Sequence, residues 1–437
     1  MPTEKENILS SQGNAATTEI GTLQAKSAAP GFTAALRHRD FALLWSGQTL
    51  SAVGNQMFPI ALAMLVLSRG GSAVRLGFVL GVQAFAIAVG TLVAAAVGDR
   101  WRRTRQMIAA DLLRTLAVAV LAAAPKTMPN SALFAMVALM GVGEGLFQPA
   151  FGAVVPRILP PELFQPGNGL NTMSMHLATV IGPALAGVIV AAKGPVLALW
   201  IDAASFAFSL ASLAVIFEPP LESGSARVPG LRNALKQMGS DFREGVQSVL
   251  SRRWIAVTIA VATVVMVLVT APSLVILPIE ANRRLGGATA YGIILAAMGV
   301  GSVLGSLIAG KIRTRWPGVI AVCGTLTIAG CVSALAFLPL AGVVAAWALG
   351  GAGVAIFQVF WMTGVQRDVP QNVLGRVMAL NWLVVLGLMP FGYAMTGFVA
   401  QSIGARNILL AGAALTLVVG PLPLLVSGGA KFSSKTA

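Results

Sequence analysis

Leu139-Met140-Gly141-Val142-Gly143-Glu144-Gly145-Leu146-Phe147-Gln148-Pro149-Ala150 recurs 210 residues later as Leu349-Gly350-Gly351-Ala352-Gly353-Val354-Ala355-Ile356-Phe357-Gln358-Val359-Phe360. The register holds without a gap over 139–187 and 349–397. Arg157 falls on Arg367, Pro160 on Pro370 and Asn171 on Asn381, and Gly182, Ala184 and Gly187 fall on Gly392, Ala394 and Gly397. Self-similarity of this kind means two structurally related halves. One mismatch stands out, Glu144 against Val354.

Water is not the main solvent of this chain. It is 56% hydrophobic and 10% charged, with a mean hydropathy of +0.82, where soluble domains carry roughly 25% charged residues. Twelve apolar stretches reach membrane-spanning length, about 17–25 residues. They cover 41–67, 76–97, 107–124, 132–155, 172–192 and 195–217, then 254–279, 289–310, 318–338, 341–363, 377–400 and 408–426. Barrel strands need only about 9–11 alternating residues, so these spans are helices. The expected fold is an all-α membrane protein, with twelve transmembrane helices in two six-helix pseudo-symmetric halves. Repeats related by an axis along the membrane normal build secondary transporters.

The net charge of +15 is topological. With both termini in the cytoplasm, inward loops and tails hold twenty-two basic residues and outward loops seven. That is the positive-inside bias. No aromatic–basic platform accompanies the charge, so no nucleic-acid partner is expected. Cys323 and Cys331 both lie in the ninth stretch and read as small buried hydrophobes, and no metal or cofactor is expected.

Residues 1–35 are polar, lack the apolar core of a signal peptide, and read as a disordered cytoplasmic tail. A six-helix bundle over 36–217 leads into a cytoplasmic linker, 218–253, where Leu231, Leu235 and Met238 recur at helical spacing. A second bundle over 254–427 and a cytoplasmic tail, 428–437, complete the expected organisation.

The loop after the second span reads Gly98-Asp99-Arg100-Trp101-Arg102-Arg103-Thr104-Arg105, and Asp111 and Arg114 follow at i, i+3 on the third helix, close enough to pair. A positive-inside cluster with Trp101 as interfacial anchor explains the bases. It does not explain the acids. Asp99, Arg100, Arg103, Asp111 and Arg114 are therefore expected to form a gating network that makes and breaks as helices shift.

Glu144 falls near the middle of the fourth span, where a charge costs on the order of 2.5–3.5 kcal/mol on insertion scales. Such a residue faces a cavity or a partner, and a carboxyl that takes and gives up a proton suits a reversible carrier. The alternative is a hydrogen bond to a neighbouring helix; Val354 at the repeat position shows that the fold needs no acid there. Gln148 follows one turn on. Gln48, Ser51 and Asn55 form a stripe on the first helix that lines a cavity or serves as interhelical glue. His176 on the fifth helix is a relay, a substrate contact or an interfacial residue, and Asn381 and Trp382 are further cavity candidates. Gly305 to Lys311 spells G-x-x-x-x-G-K, but it ends an apolar helix and Ile312 follows, so no nucleotide site is expected.

The loop at Gly98–Arg105 resembles the signature of the major facilitator superfamily, with Ala95 in place of its glycine and Thr104 in place of its second base. Gly182-Pro183-Ala184-Leu185-Ala186-Gly187 is similar to the fifth-helix motif of that superfamily's drug/proton antiporters, with Ala186 replacing a glycine. Leu43-Leu44-Trp45-Ser46-Gly47-Gln48, Gly145-Leu146-Phe147-Gln148-Pro149-Ala150, Val155-Pro156-Arg157 and Asp202-Ala203-Ala204-Ser205-Phe206 look like the branch holding enterobactin exporters and macrolide efflux proteins. Members often carry an acid near Asn55, which is absent here. The resemblance covers roughly 36–427. It implies Gly182, Pro183 and Gly187 as an antiporter motif and export of an amphipathic small molecule, drug, antibiotic or siderophore-like, by proton antiport and alternating access.

Expected partners are that small molecule, protons and the lipid bilayer. The chain is expected to be a monomer, multi-pass in the inner or plasma membrane, and not an enzyme. An uptake symporter or uniporter of the same fold and a non-transporting receptor or assembly factor are the alternatives.

Overall fold

The computed structural model describes residues 32–97, 101–125, 127–218 and 243–434. Among them twelve helices are long and apolar enough to cross a membrane, and there is no strand. The first six are α1 (Arg39–Ser68), α2 (Ala73–Val97), α3 (Arg103–Ala123), α4 (Asn130–Ile158), α5 (Phe164–Lys193) and α6 (Pro195–Ala214). The second six are α7 (Arg253–Leu285), α8 (Gly287–Lys311), α9 (Pro317–Phe337), α10 (Leu340–Asp368), α11 (Gln371–Ile403) and α12 (Ala405–Val419).

Every expected span is a helix. Several begin earlier than the apolar stretch does: α5 starts at Phe164 and α11 at Gln371. Hydropathy marks where lipid begins, whereas a helix starts where the chain sets its backbone. Here the paired Pro160 and Pro370 precede those first turns in extended conformation. The Asp99 and Arg100 loop, residues 1–31 and the proposed linker helix over 231–242 lie outside the described residues.

The sequence repeat is a structural repeat. α4 and α10 are both 29 residues long and keep the offset residue for residue. Gly194 and Gly404, at that same offset, have φ of +83° and +81°. This region is closed to most side chains and open to glycine, and each residue turns the chain from one long helix into the next.

Within each half α2 and α3 pack on α4, matched by α8 and α9 on α10; between halves α5 packs on α8 and α2 on α11. The inter-half approach is close. A Cβ on Gly292 would stand 2.4 Å from the Pro183 carbonyl oxygen and 2.8 Å from Gly187 Cα. A Cβ on Gly77 would stand 2.3 Å from the Tyr393 oxygen, and Phe78 meets Phe398 edge-on at 5.7 Å. All these contacts lie toward the end of the bundle that carries Gly194 and Gly404, so the halves close at that end.

The expected C-terminal tail is packed through Ser434. Phe432 is 2% exposed and stacks on Trp254 at 4.9 Å, and the Ser434 N–H donates to Asp368 Oδ1 at 2.8 Å. At the other terminus, Phe32–Leu36 is already helical.

Candidate functional site

The first half buries a charged cluster. On α3, Arg114 donates to the Asp111 carboxylate one turn earlier, and both side chains are buried. Ser209 of α6 donates to Asp111 Oδ2 at 2.6 Å, and Gln48 of α1 donates to Ser209 at 2.7 Å. The Arg114 guanidinium lies between aromatic faces, 4.2 Å from the Phe147 centroid and 4.4 Å from that of Phe206, a favourable seat for a desolvated cation. Gly143 makes room for it, since a Cβ there would stand 2.7 Å from Arg114 Cγ.

Two further acids face this cation. Glu144 of α4 is bonded to Asn55 of α1 and lies within electrostatic reach of Arg114. Asp202 of α6 feels both Arg114 and Glu144. It is 0% exposed, and neither carboxylate oxygen has a hydrogen-bond partner. A buried carboxyl without a donor is costly. Gly54 is what admits it, because a Cβ there would fall 2.9 Å from Asp202 Oδ1 and 2.2 Å from Ser205 Oγ.

At the helix ends near the termini, a fourth acid does a different job. Glu218 accepts from the Arg103 N–H (3.1 Å), the Thr104 N–H (2.8 Å), the Thr104 hydroxyl (2.8 Å) and Arg157 (3.1 Å). It caps the start of α3 and ties it to the ends of α4 and α6. Burial pushes its carboxyl up, but the hydrogen bonds from Thr104, Arg103 and Arg157 outweigh that and hold it below its ordinary value. In the second half Asp368, at the end of α10, ties that helix to α7 by accepting from Trp254 Nε1 at 2.8 Å.

The second half contains a cavity of about 310 Å³ among α7, α9, α10 and α11, with Met298 of α8 and the segment after α12 completing its lining. Its inner wall includes Val265, Val332 and Trp347, and Gln358, Trp382 and Asn381 stand among its lining.

The family of transmembrane secretion effectors, within the major facilitator superfamily, matches residues 30–428. The chain belongs to this family. Relatives of this major facilitator transporter include macrolide efflux protein A of Streptococcus pyogenes, 22% identical over 88% of this chain and 95% of that protein. The multidrug efflux pump Tap of Mycolicibacterium fortuitum is 24% identical over 86% of this chain and 93% of its own. Among solved structures, a peptide transporter POT bound to sulfate aligns with a TM-score of 0.72 at 13% identity, over 94% of this chain and 98% of its own. The nucleoside transporter NupG aligns with a TM-score of 0.69 at 12% identity, over 88% of this chain and 98% of its own. These two likenesses bear on the fold alone. The relatives are transporters, not enzymes, and twelve spans make the chain a multi-pass membrane protein.

The fold of this transporter regroups the residues expected to act. Asp111 and Arg114 pair within the first half, where Ser209 also donates to Asp111. Eight residues of helix, about 12 Å, separate Asp111 from Arg103, whose backbone serves Glu218. Gln48 and Ser51, expected at a cavity wall, are 9% and 3% exposed, and Gln48 is tied to Ser209 inside the first half. The α1 stripe turns inward because Ser209 and Glu144 supply partners there. Asn55 belongs to the acid cluster, whereas Gln148 and His176 are exposed on α4 and α5. Asn381 and Trp382 line the second-half cavity. Gly182, Pro183 and Gly187 lie where α5 packs on α1 and α8, since a Cβ on Gly182 would meet the Val53 oxygen at 2.8 Å. Asp202 is the residue that sequence reasoning passed over. Its signal was present, an acid within the sixth apolar span, judged only as part of a motif.

Proposed function

We propose that this transporter exports an amphipathic small molecule, drug-like or siderophore-like, in exchange for protons. The observation that carries the reading is the first-half cluster, in which three carboxyls share one guanidinium and Asp202 has no donor. With Asp111 held by Arg114 and Ser209, the cluster is neutral only when Glu144 and Asp202 both carry protons. A net charge buried there is expensive, so proton release must be coupled to a rearrangement that brings in water or shifts Arg114. Glu144 and Asp202 are the proton carriers in this reading, and Arg114 is the cation that answers them. The Asp99, Arg100 and Arg103 latch at the cytoplasmic loop remains part of the proposal.

Orientation follows from the positive-inside bias. With both termini cytoplasmic, the contacts at the Gly194 and Gly404 end close the outward side, and this conformation faces inward. Alternating access then requires the α5–α8 and α2–α11 contacts to open while the opposite end closes. Relatives named for macrolide and multidrug efflux support the outward direction.

The test uses inside-out vesicles, an imposed pH gradient, and a panel of macrolides and ethidium. Wild type is expected to accumulate at least one compound, and Glu144→Gln and Asp202→Asn to lose that accumulation at normal expression. Full gradient-driven accumulation in both variants overturns the proton assignment. No accumulation of any compound by wild type overturns export.

A further inference from the structure

We infer that the second-half cavity is a binding site for a neutral, largely apolar compound carrying a hydrogen-bond acceptor, received by the indole N–H of Trp347 and the hydroxyl of Thr270. The inference rests on the transporter reading only for its physiological cargo; the site itself stands on the geometry below.

The cavity occupies the volume that the charged cluster fills in the first half. α3 and α9 are both 21 residues long, and aligned start to start they place Thr325 at Asp111 and Ile328 at Arg114. The packing agrees. A Cβ on Gly143 stands 3.0 Å from the Ala110 oxygen, and one on its repeat partner Gly353 stands 2.5 Å from the oxygen of Gly324, the counterpart of Ala110. Val354 takes the place of Glu144. Thr325, Ile328 and Val354 all line the cavity. Three charged side chains have become short neutral ones, and about 310 Å³ of open volume results, at the lower end of ligand-sized pockets.

What distinguishes this volume from loose packing is a pair of unpartnered donors. Trp347 is 4% exposed and its Nε1 has no hydrogen-bond partner, and Thr270 Oγ1 has none either. Both line the cavity. The Thr270 case has a structural explanation. In the first half Gly54 packs on Asp202; in the second Val269 packs on Gly412, which follows Gly404 as Asp202 follows Gly194. Thr270 is therefore the counterpart of Asn55, and the acid that Asn55 bonds is Val354 here. The π turn Met266–Thr270 just ahead of Pro272 holds Thr270 in place, with Ser273 donating to its carbonyl at 2.8 Å. An unpartnered indole N–H and an unpartnered hydroxyl on residues that line an apolar chamber without a counter-charge select acceptors such as ketones, esters and ethers, and reject cations.

Benzophenone is a suitable probe, because it is neutral, aromatic, carries one carbonyl acceptor, and inserts into nearby C–H bonds on illumination. Native vesicles containing the full chain are photolabelled, digested and mapped by mass spectrometry. The expected result is labelling of peptides bearing Met266, Met298 or Val354, competed by unlabelled fluorenone. Trp347→Phe and Thr270→Val should each lower labelling about 2- to 10-fold, the worth of one neutral hydrogen bond. Ile328→Trp, which fills the chamber, should abolish it. All variants are first checked for wild-type elution in gel filtration, and the two donor variants serve as independent replicates should one fail to fold. Labelling that spares these peptides, or that all three variants leave unchanged, overturns the site. Displacement by monoolein at lower concentration than by fluorenone overturns the small-molecule assignment in favour of a lipid ester. Glu144→Gln is expected to label normally, so loss of proton coupling and loss of this site are read separately.

Discussion

Glu144 and Val354 stand at the same position of two 29-residue helices; the first is bonded to Asn55 and faces Arg114, and the second lines the apolar cavity. One scaffold position thus carries a titratable group in one half and a neutral wall in the other. The paired Gly143 and Gly353 keep α4 close to α3 and α10 close to α9, so at this position the difference between the halves lies in the side chains.

The charged cluster should be replaceable as a unit and intolerant of partial removal. Arg114→Ile alone leaves Asp111 buried without its cation and is predicted to cost about 3–5 kcal/mol. Asp111→Thr, Arg114→Ile and Glu144→Val together copy the second half and should recover most of that loss, while abolishing proton coupling. Thermal unfolding of the purified variants checks this. Equal loss in the single and triple variants contradicts the idea that the charges, rather than the packing, set the cost.

Glu218 gives a pH signature outside the membrane spans. Its carboxyl lies below its ordinary value near 4.5 in the folded chain. A depressed carboxyl contributes stability that is fully present above that ordinary value and is lost as pH falls through the lower folded value. Glu218→Gln removes the contribution. The melting temperatures of wild type and variant should therefore differ at pH 7 and converge as pH drops below about 4. A difference that stays constant from pH 7 to pH 3 contradicts a role for the ionised carboxylate.

The fold was legible in the sequence because length and hydropathy are local properties; the repeat added the pairing of halves. Candidate site residues were less so. An acid inside an apolar span is visible, and Glu144 was found that way, but whether a polar residue faces a cavity or a neighbouring helix depends on rotation about the helix axis. Gln48 and Ser51 read as cavity residues for that reason and are buried against α6 instead. Trp347 and Thr270 carry no sequence signal, since an indole and a hydroxyl in an apolar span are ordinary; only the loss of Glu144's counterpart leaves Thr270 without a partner.

Gly54 tests how tightly Asp202 is held. A methyl group there would meet Ser205 Oγ at 2.2 Å and Asp202 Oδ1 at 2.9 Å. Gly54→Ala is predicted to cost about 1–3 kcal/mol through overpacking, and Gly54→Ala with Ser205→Ala should regain part of it. A thermal melt of the single variant that matches wild type contradicts the close approach of α1 and α6.

Gly292 tests the contact between halves without touching either site. A valine there would push into the Pro183 carbonyl and Gly187 Cα, 2.4 and 2.8 Å from the Cβ position, and neither backbone can yield without moving α5 from α8. The halves should then fail to close at that end. Phe78 and Phe398 report on closure at the neighbouring α2–α11 contact, where their rings stand 5.7 Å apart. In a background with Cys323 and Cys331 replaced, Phe78→Cys with Phe398→Cys is expected to form an oxidative cross-link in the parent and much less of it with Gly292→Val. Benzophenone labelling of the second-half cavity should persist in that variant, because none of its walls is made by α5. Undiminished cross-linking together with undiminished transport contradicts a gating role for the glycine contact, whereas loss of labelling as well points to a misfolded second half.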